Sequence, residues 1–276
     1  MNLSGTEISD LMNRYGIKPS RALGQNFVVD PNTIDRIVRL AGIRAADRVV
    51  EIGAGLGSLT LGLASTGARV VAIELDRRLV GVLDETVVPT GVKVIHGDAM
   101  TLDWENVLGG DGQEWKLVAN LPYNIATPLL IGLLEGVPRI VEMLVMVQKE
   151  VGERLVAGVD QTGYGAVSVK MAYWAEAKLA GRVPASVFVP RPKVDSVLVS
   201  VKRRDPIDPL DPHGGYERLF TLVRAGFAHR RQMLRRSLHG LVSAEEFAAA
   251  EVRGQDRAED LDLSAWTRLA RVVELR

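Results

Sequence analysis

Short apolar, β-branched runs alternate along this chain with stretches whose apolar residues recur at helical spacing. That alternation predicts a βα-repeating parallel sheet. Strands are expected at 48–52, 69–73, 92–96, 116–119 and 140–147, with helices between them at 59–64, 77–86 and 127–134. A further helix, 31–41, precedes the first strand, with Asp30 as its N-cap and Pro31 in its first turn. After Glu150 come a helix, a glycine-broken loop from Gly158 to Gly165, and two strand-like segments at 178–183 and 196–202. The alternation stops at 203–212, where Pro206, Pro209 and Pro212 each follow an Asp. Neither sheet nor helix continues through such a run, which reads as a linker. Only helical patterns follow, over 216–274. The expected organisation is therefore an α/β domain over 1–204 and a small all-helical domain over 205–276.

Composition narrows the class. A chain of 276 residues with 47% hydrophobic content can bury a sizeable core. No segment approaches the roughly 18 uncharged apolar residues that span a bilayer. Glu7 and Asp10 interrupt any secretion-signal pattern at the N-terminus. With no Cys there is no disulfide, no thiolate zinc site and no cysteine nucleophile. The four His (His96, His213, His229, His239) lack ligand spacing, so no metal is expected. A soluble cytoplasmic protein is the plain expectation, and nothing demands more than a monomer.

The net charge is zero, from 34 basic and 34 acidic residues, yet the charges are unevenly placed. Between 218 and 242 there are six Arg, two His and no acid. Arg224, Arg230, Arg231, Arg235 and Arg236 punctuate apolar positions there, and a mainly acidic tail follows. This asymmetry can place a basic patch on a neutral protein. The bland alternative is a pair of amphipathic helices with a solvated basic face. Lys18, Arg21, Arg203 and Arg204 are candidates to extend the patch.

The candidate chemistry lies in the first domain. Glu51-Ile52-Gly53-Ala54-Gly55-Leu56-Gly57 sets three glycines between a strand and a helix, permitting a tight turn and a close ligand approach. The spacing is G-x-G-x-G, whereas the dinucleotide fingerprint needs its third glycine one residue later. Glu74, at the end of the second strand, can accept hydrogen bonds from both hydroxyls of a ribose. Asp98 offers another carboxylate at the same sheet edge. A nucleoside-containing donor without a pyrophosphate fits this set better than a dinucleotide. Asn120-Leu121-Pro122-Tyr123 then follows a strand and joins an amide, a stiffening proline and an aromatic face, which suits the grip on a flat nitrogen-bearing ring.

These stretches occur in order with Gly24-Gln25-Asn26-Phe27, Gln148-Lys149-Glu150 and a run from Val187 to Ser196 that reads VFVPRPKVDS. The set, spanning 18–237, resembles the S-adenosylmethionine-dependent rRNA adenine dimethyltransferases, most closely the small-subunit enzymes of the KsgA/RsmA type. The resemblance implies a Rossmann-like methyltransferase domain that places two methyl groups on N6 of each of two adjacent adenosines near the 3′ end of small-subunit (16S) rRNA. It implies that S-adenosyl-L-methionine is held by Asn26, Val28, Gly53, Glu74 and Asp98, with Asn120 where donor and acceptor meet. The small ribosomal subunit and its rRNA are the implied partners. Val28, Ala54 and Ala126 stand where leucine, proline and serine are commoner in that family.

The expected mechanism uses no general base. The Asn120 oxygen and the Leu121 or Pro122 carbonyl accept the two N–H bonds of the amine, while Tyr123 and Phe188 sandwich the extruded ring. For both aromatics the alternative is a packed core residue. Three rivals stand beside this reading: a large-subunit resistance dimethylase, an assembly factor that has lost the reaction, and a small-molecule methyltransferase.

Overall fold

The computed structural model describes residues 3–20, 23–205 and 215–273. The proline-rich linker at 206–212, His213 and Arg21 lie outside the described residues. The chain divides into two compact units, Met1–Gly152 with Lys178–Arg203, and Glu153–Ala177 with Arg204–Arg276.

The strands are β1 (Phe27–Val28), β2 (Arg48–Ile52), β3 (Arg69–Glu74), β4 (Lys93–His96), β5 (Trp115–Asn120), β6 (Ile140–Gln148), β7 (Ala175–Val183), β8 (Phe188–Val189) and β9 (Ser196–Arg203). Seven of them form one sheet in the order β4-β3-β2-β5-β6-β9-β7. The pairs from β4 to β6 are parallel, and β9 runs antiparallel to β6. Val49, Val50, Glu51 and Ile52 of β2 are all buried, as a strand covered on both faces requires. The chain leaves β2 toward β3 on one side and returns to β5 on the other, so the order reverses beside β2. At such a reversal the carboxyl ends of the strands open a crevice.

The five expected parallel strands are present, with no end shifted by more than one residue. The helix Pro31–Ala41 has its expected cap, Asp30 accepting from the Thr33 amide, and it buries Ile34 and Ile37. The N-terminal helix Gly5–Arg14 is an addition, closed by a reciprocal cap between Ser4 and Glu7. β1 and β8 form a separate two-stranded antiparallel sheet, pairing Val28 with Phe188.

Two expectations change. Arg203 does not join a basic surface: it donates to the carbonyls of Leu133 (3.0 Å), Leu134 (2.8 Å), Val137 (3.1 Å) and Ile140 (3.0 Å). It thereby ties the C-terminal end of the helix Ala126–Gly136 and the turn after it to β9. Arg204 likewise donates to the Ala172 carbonyl at 2.5 Å. The helical unit is also larger than the pattern suggested, since it takes residues 153–177. Tyr164, Val169 and Tyr173 from that stretch pack with Leu219, Phe220, Leu238, Trp266 and Leu269. Tyr173 meets Phe220 edge-on at 5.8 Å, a contact across sequence that no local pattern announces.

Two helical glycines give a test of packing against propensity. Gly132 is exposed, with nothing within 4 Å of where a Cβ would stand. At Gly226 a Cβ would lie 2.7 Å from the Trp266 ring and 3.3 Å from Ala258. Propensity favours alanine by roughly 0.8–1.0 kcal/mol at either site, but overpacking a tight site costs about 1–3 kcal/mol. Gly132→Ala should therefore raise the melting temperature by about 2–4 °C per kcal/mol gained, and Gly226→Ala should lower it. Thermal unfolding followed by circular dichroism checks both, and a rise for Gly226→Ala would contradict the packing around Trp266.

Candidate functional site

The turn after β2 enters the helix Ser58–Ala64 through Gly57, whose φ of 89° favours glycine and whose Cβ would lie 2.6 Å from Val87. The loop is closed against β3, because Gly53 N–H and Ala54 N–H both donate to the Ile73 carbonyl (2.9 and 3.2 Å). Gly55 N–H donates to Glu74 Oε2 at 2.8 Å, and Asp76 N–H donates to Glu74 Oε1 at 2.9 Å. Glu74 is thus buried and oriented by two backbone amides. Burial raises its pKa against the opposing pull of those bonds.

Asp76 ties this edge to the N-terminal segment. Arg78 and the Gln25 amide donate to its carboxylate and hold it down at about 2. The segment 23–28 then runs over the loop and along the turn after β5. Gly24, at φ 64°, approaches so closely that a Cβ would lie 3.1 Å from Pro122 Cβ. Asn26 Nδ2 donates to the Gly24 carbonyl (3.1 Å), and Asn120 Nδ2 donates to the Asn26 carbonyl (3.0 Å). With its nitrogen so engaged, the Asn120 amide is oriented with Oδ1 as its acceptor end.

One cavity gathers these parts, lined by residues from 23–28, 51–59, 73–75, 97–99 and the turn beginning at Asn120. Asn26, Val28, Gly53, Glu74, Asp98 and Asn120 all line it, as does Pro122. Asp98 accepts from the Met100 amide at 2.9 Å, which fixes its carboxylate at the rim. Leu121 is buried, its amide bound to the Met146 carbonyl at 3.1 Å. The Pro122 carbonyl accepts from Ile125 and Ala126 (3.2 and 3.1 Å) and starts the following helix. It is therefore committed, which leaves the Leu121 carbonyl as the candidate of the two expected acceptors.

The two aromatics part company. Tyr123 is half-buried, with its hydroxyl 3.0 Å from Ser196 Oγ. Phe188 is 2% exposed and packs with Val28, Ile34 and Ile37. Its ring anchors the β1–β8 sheet in the core, so the expected second stacking face is corrected to a packing residue. The apolar neighbours Val187 and Val189 carried that signal in the sequence.

Two lining residues escaped the pattern reading. Glu51 is 1% exposed, and burial pushes its carboxyl up to about 8. Its Oε2 has no hydrogen-bond partner among the described residues. An acid inside an otherwise apolar strand was the available clue. Leu75 is 48% exposed on the cavity wall between Glu74 and Asp76. A large apolar side chain left open between two acids offers a flat ligand a face.

In the helical unit, Arg224, Arg230, Arg231, Arg235 and Arg236 are all exposed, on the helix Gly215–Ala228 and on the turn and short helix after it. Arg230 pairs with Glu259 at 2.6 Å, and Arg224 donates to Thr221 Oγ1 at 3.3 Å. No carboxylate is paired with Arg231, Arg235 or Arg236 among the described residues. His96 contacts the Leu75 carbonyl at 3.1 Å, and no cluster of metal-ligating side chains occurs among the described residues. No helix among them is long and apolar enough to cross a membrane.

The chain is similar to known proteins. The ribosomal RNA small subunit methyltransferase A of Leifsonia xyli is 45% identical over 279 residues, covering 97% of each chain. A dimethyladenosine transferase from Plasmodium falciparum superposes with a TM-score of 0.72 at 23% identity, over 87% of this chain and 94% of its own. The 23S rRNA methyltransferase ErmE gives 0.68 at 24%, over 90% and 99%. These two likenesses speak to the fold, which is that of a Rossmann-like methyltransferase. The sequence pattern of the ribosomal RNA adenine dimethylases matches residues 17–274, and the chain belongs to that family.

Proposed function

We propose that this chain transfers methyl groups from S-adenosyl-L-methionine to N6 of two adjacent adenosines near the 3′ end of small-subunit rRNA, two groups on each. The observation that carries the reading is the orientation of Asn120, whose amide nitrogen is held at 3.0 Å by the Asn26 carbonyl at the mouth of the glycine-loop cavity.

The residues present fit the donor. Glu51 leaves a buried carboxylate oxygen without a partner, which a cationic ammonium suits, and Glu74 is pre-oriented for ribose hydroxyls. Asn26, Val28, Gly53 and Asp98 would complete its seat, with Leu75 against the flat adenine. When bound, S-adenosylmethionine supplies an electrophilic methyl group on a sulfonium that carries the chemical drive.

The protein's part is alignment. Adenine N6 is a poor nucleophile because its lone pair is delocalised into the ring. Asn120 Oδ1 and the Leu121 carbonyl accept its two N–H bonds and favour a pyramidal nitrogen with the lone pair aimed into the cavity. Tyr123 offers the extruded base a stacking face worth about 1–3 kcal/mol. Positioning of this kind supplies at most roughly 7–11 kcal/mol. The proton leaves after transfer, from a cationic amine that is acidic enough to lose it to water. Arg231, Arg235 and Arg236, with Arg224 and Arg230, meet RNA phosphates, and the enzyme works in the cytoplasm, where small subunits are assembled.

Three outcomes test this. Asn120→Ala should lower methyl transfer by roughly 100-fold or more, with cofactor affinity by calorimetry unchanged. The assay offers unmethylated small subunits and large-subunit RNA separately and digests the product to nucleosides. Dimethyladenosine from large-subunit RNA, or full activity of Asn120→Ala, would overturn the reading. Reversing Arg231, Arg235 and Arg236 to Glu should weaken RNA binding and flatten its salt dependence by about one unit of slope for each arginine that no longer meets a phosphate. Cofactor affinity should not move.

The third concerns pH. The folded pKa of Glu51, about 8, lies above its ordinary 4.5, so the folded state binds the extra proton between those values. Stability is then full below about 4.5 and falls as pH rises toward about 8. Glu51→Gln removes this penalty. The cofactor-free variant should melt above the wild type at a pH of about 8.5, with the gap closing toward a pH of about 5, as scanning calorimetry measures. A gap that does not vary with pH would contradict the assignment.

A further inference from the structure

The Tyr123 hydroxyl and Ser196 Oγ lie 3.0 Å apart, although the residues stand 73 positions apart in sequence. Ser196 is fully buried at the first position of β9, where it pairs in register with Gln148. Its backbone is braced from several sides. The Asp195 carbonyl accepts from the Lys149 amide at 3.0 Å. The Asp195 carboxylate accepts from Ala185 N–H at 2.8 Å and from Arg182 Nε at 3.0 Å. Ser196 Oγ is therefore a fixed point set by the sheet.

Tyr123 is anchored differently. Its backbone belongs to the turn that carries Asn120, and its ring is half-buried. Burial raises the phenol pKa, so the group stays neutral across the working range and keeps a proton to share. A ring held at Cβ by the turn and at its hydroxyl by the sheet can flip about its own axis but cannot swing. Its χ1 is thereby set, and with it the place where the ring face stands beside Asn120.

We infer that Ser196 is a positioning residue for methyl transfer, acting through its hydrogen bond to the Tyr123 hydroxyl to hold the ring where the target base stacks. The inference rests on the proposed role of Tyr123 as that stacking face. Ser196 touches neither donor nor acceptor, so its removal should act on turnover and leave cofactor affinity alone.

The test compares Ser196→Ala, Tyr123→Phe, the double variant and Tyr123→Ala in the small-subunit methylation assay. Cofactor affinity by calorimetry and melting temperature are measured beside it. Each hydroxyl deletion should lower kcat roughly three- to ten-fold, at unchanged cofactor affinity. The double variant should be no slower than the slower single variant, because both deletions break the same bond. Tyr123→Ala should lose far more. Losses that multiply in the double variant would overturn the inference. So would a Ser196→Ala protein that melts lower but turns over normally. If Tyr123→Ala itself turns over normally, the stacking role fails and the positioning role fails with it. If Tyr123→Ala is inactive while Ser196→Ala is normal, only the positioning role fails.

Discussion

The site depends on one constraint: the backbone amides of the glycine loop are closed onto the end of β3. Gly53 and Ala54 bind the Ile73 carbonyl, and Gly55 binds the Glu74 carboxylate. A chain of contacts follows from that closure. Glu74 turns the Asp76 amide, Asp76 takes the Gln25 side chain, and the segment carrying Gln25 presents the Asn26 carbonyl to Asn120. The proposed donor seat and the amide proposed to grip the acceptor are thus joined by one continuous set of hydrogen bonds. Disturbing the loop would misplace Asn120 even though the two are far apart in sequence.

That constraint sets one acid against another. Glu74 is buried but receives two backbone amides, so its charge is partly compensated before any ligand arrives. Glu51 is buried with one oxygen uncompensated, and its carboxyl is pushed up to about 8. Two buried carboxylates in one cavity wall differ because only one of them faces backbone donors. A buried polar group without a partner costs free energy, and a fold tolerates it where a ligand completes it. The cavity therefore carries a local instability in the same place as its chemistry.

Much of this was legible in the sequence. Short β-branched runs report burial on both faces directly, so the parallel strands were found to within one residue. The residues singled out for the donor, Asn26, Val28, Gly53, Glu74, Asp98 and Asn120, all line one cavity, whereas Glu51 and Leu75 were passed over because their signal is a single side chain out of keeping with its neighbours. What stayed hidden was long-range. Arg203 looks like a surface cation, and its role on four carbonyls exists only once the helix 126–136 ends beside β9. Residues 153–177 join the helical unit because Tyr164 and Tyr173 find aromatic partners beyond position 215, which no local period encodes. Phe188 belongs with them, since exposure of an aromatic in a proline-rich loop is decided by what packs over it.

The absence of a general base from the proposed reaction is itself a consequence of the geometry. Of the acids named in this cavity wall, Glu74 is engaged with the loop, Asp76 with Gln25 and Arg78, and Asp98 with the Met100 amide, while Glu51 lies buried in β2 with its open oxygen left for the donor's ammonium in the proposed reading. What remains beside Asn120 is neutral and accepting, namely an amide oxygen and a backbone carbonyl. Such groups cannot take a proton at neutral pH, but they can hold two N–H bonds without competing for the nucleophile's lone pair. A carboxylate in their place would also attract the sulfonium before transfer. The reaction moves that positive charge from sulfur to nitrogen without creating any, so much of such an attraction would already be present in the ground state. Neutral acceptors attract the donor little, and their hydrogen bonds strengthen as the N–H groups become more acidic on the way to the cationic amine. Differential stabilisation of this kind is what raises a rate. The site is thus specialised for aiming a weak nucleophile rather than for creating a strong one.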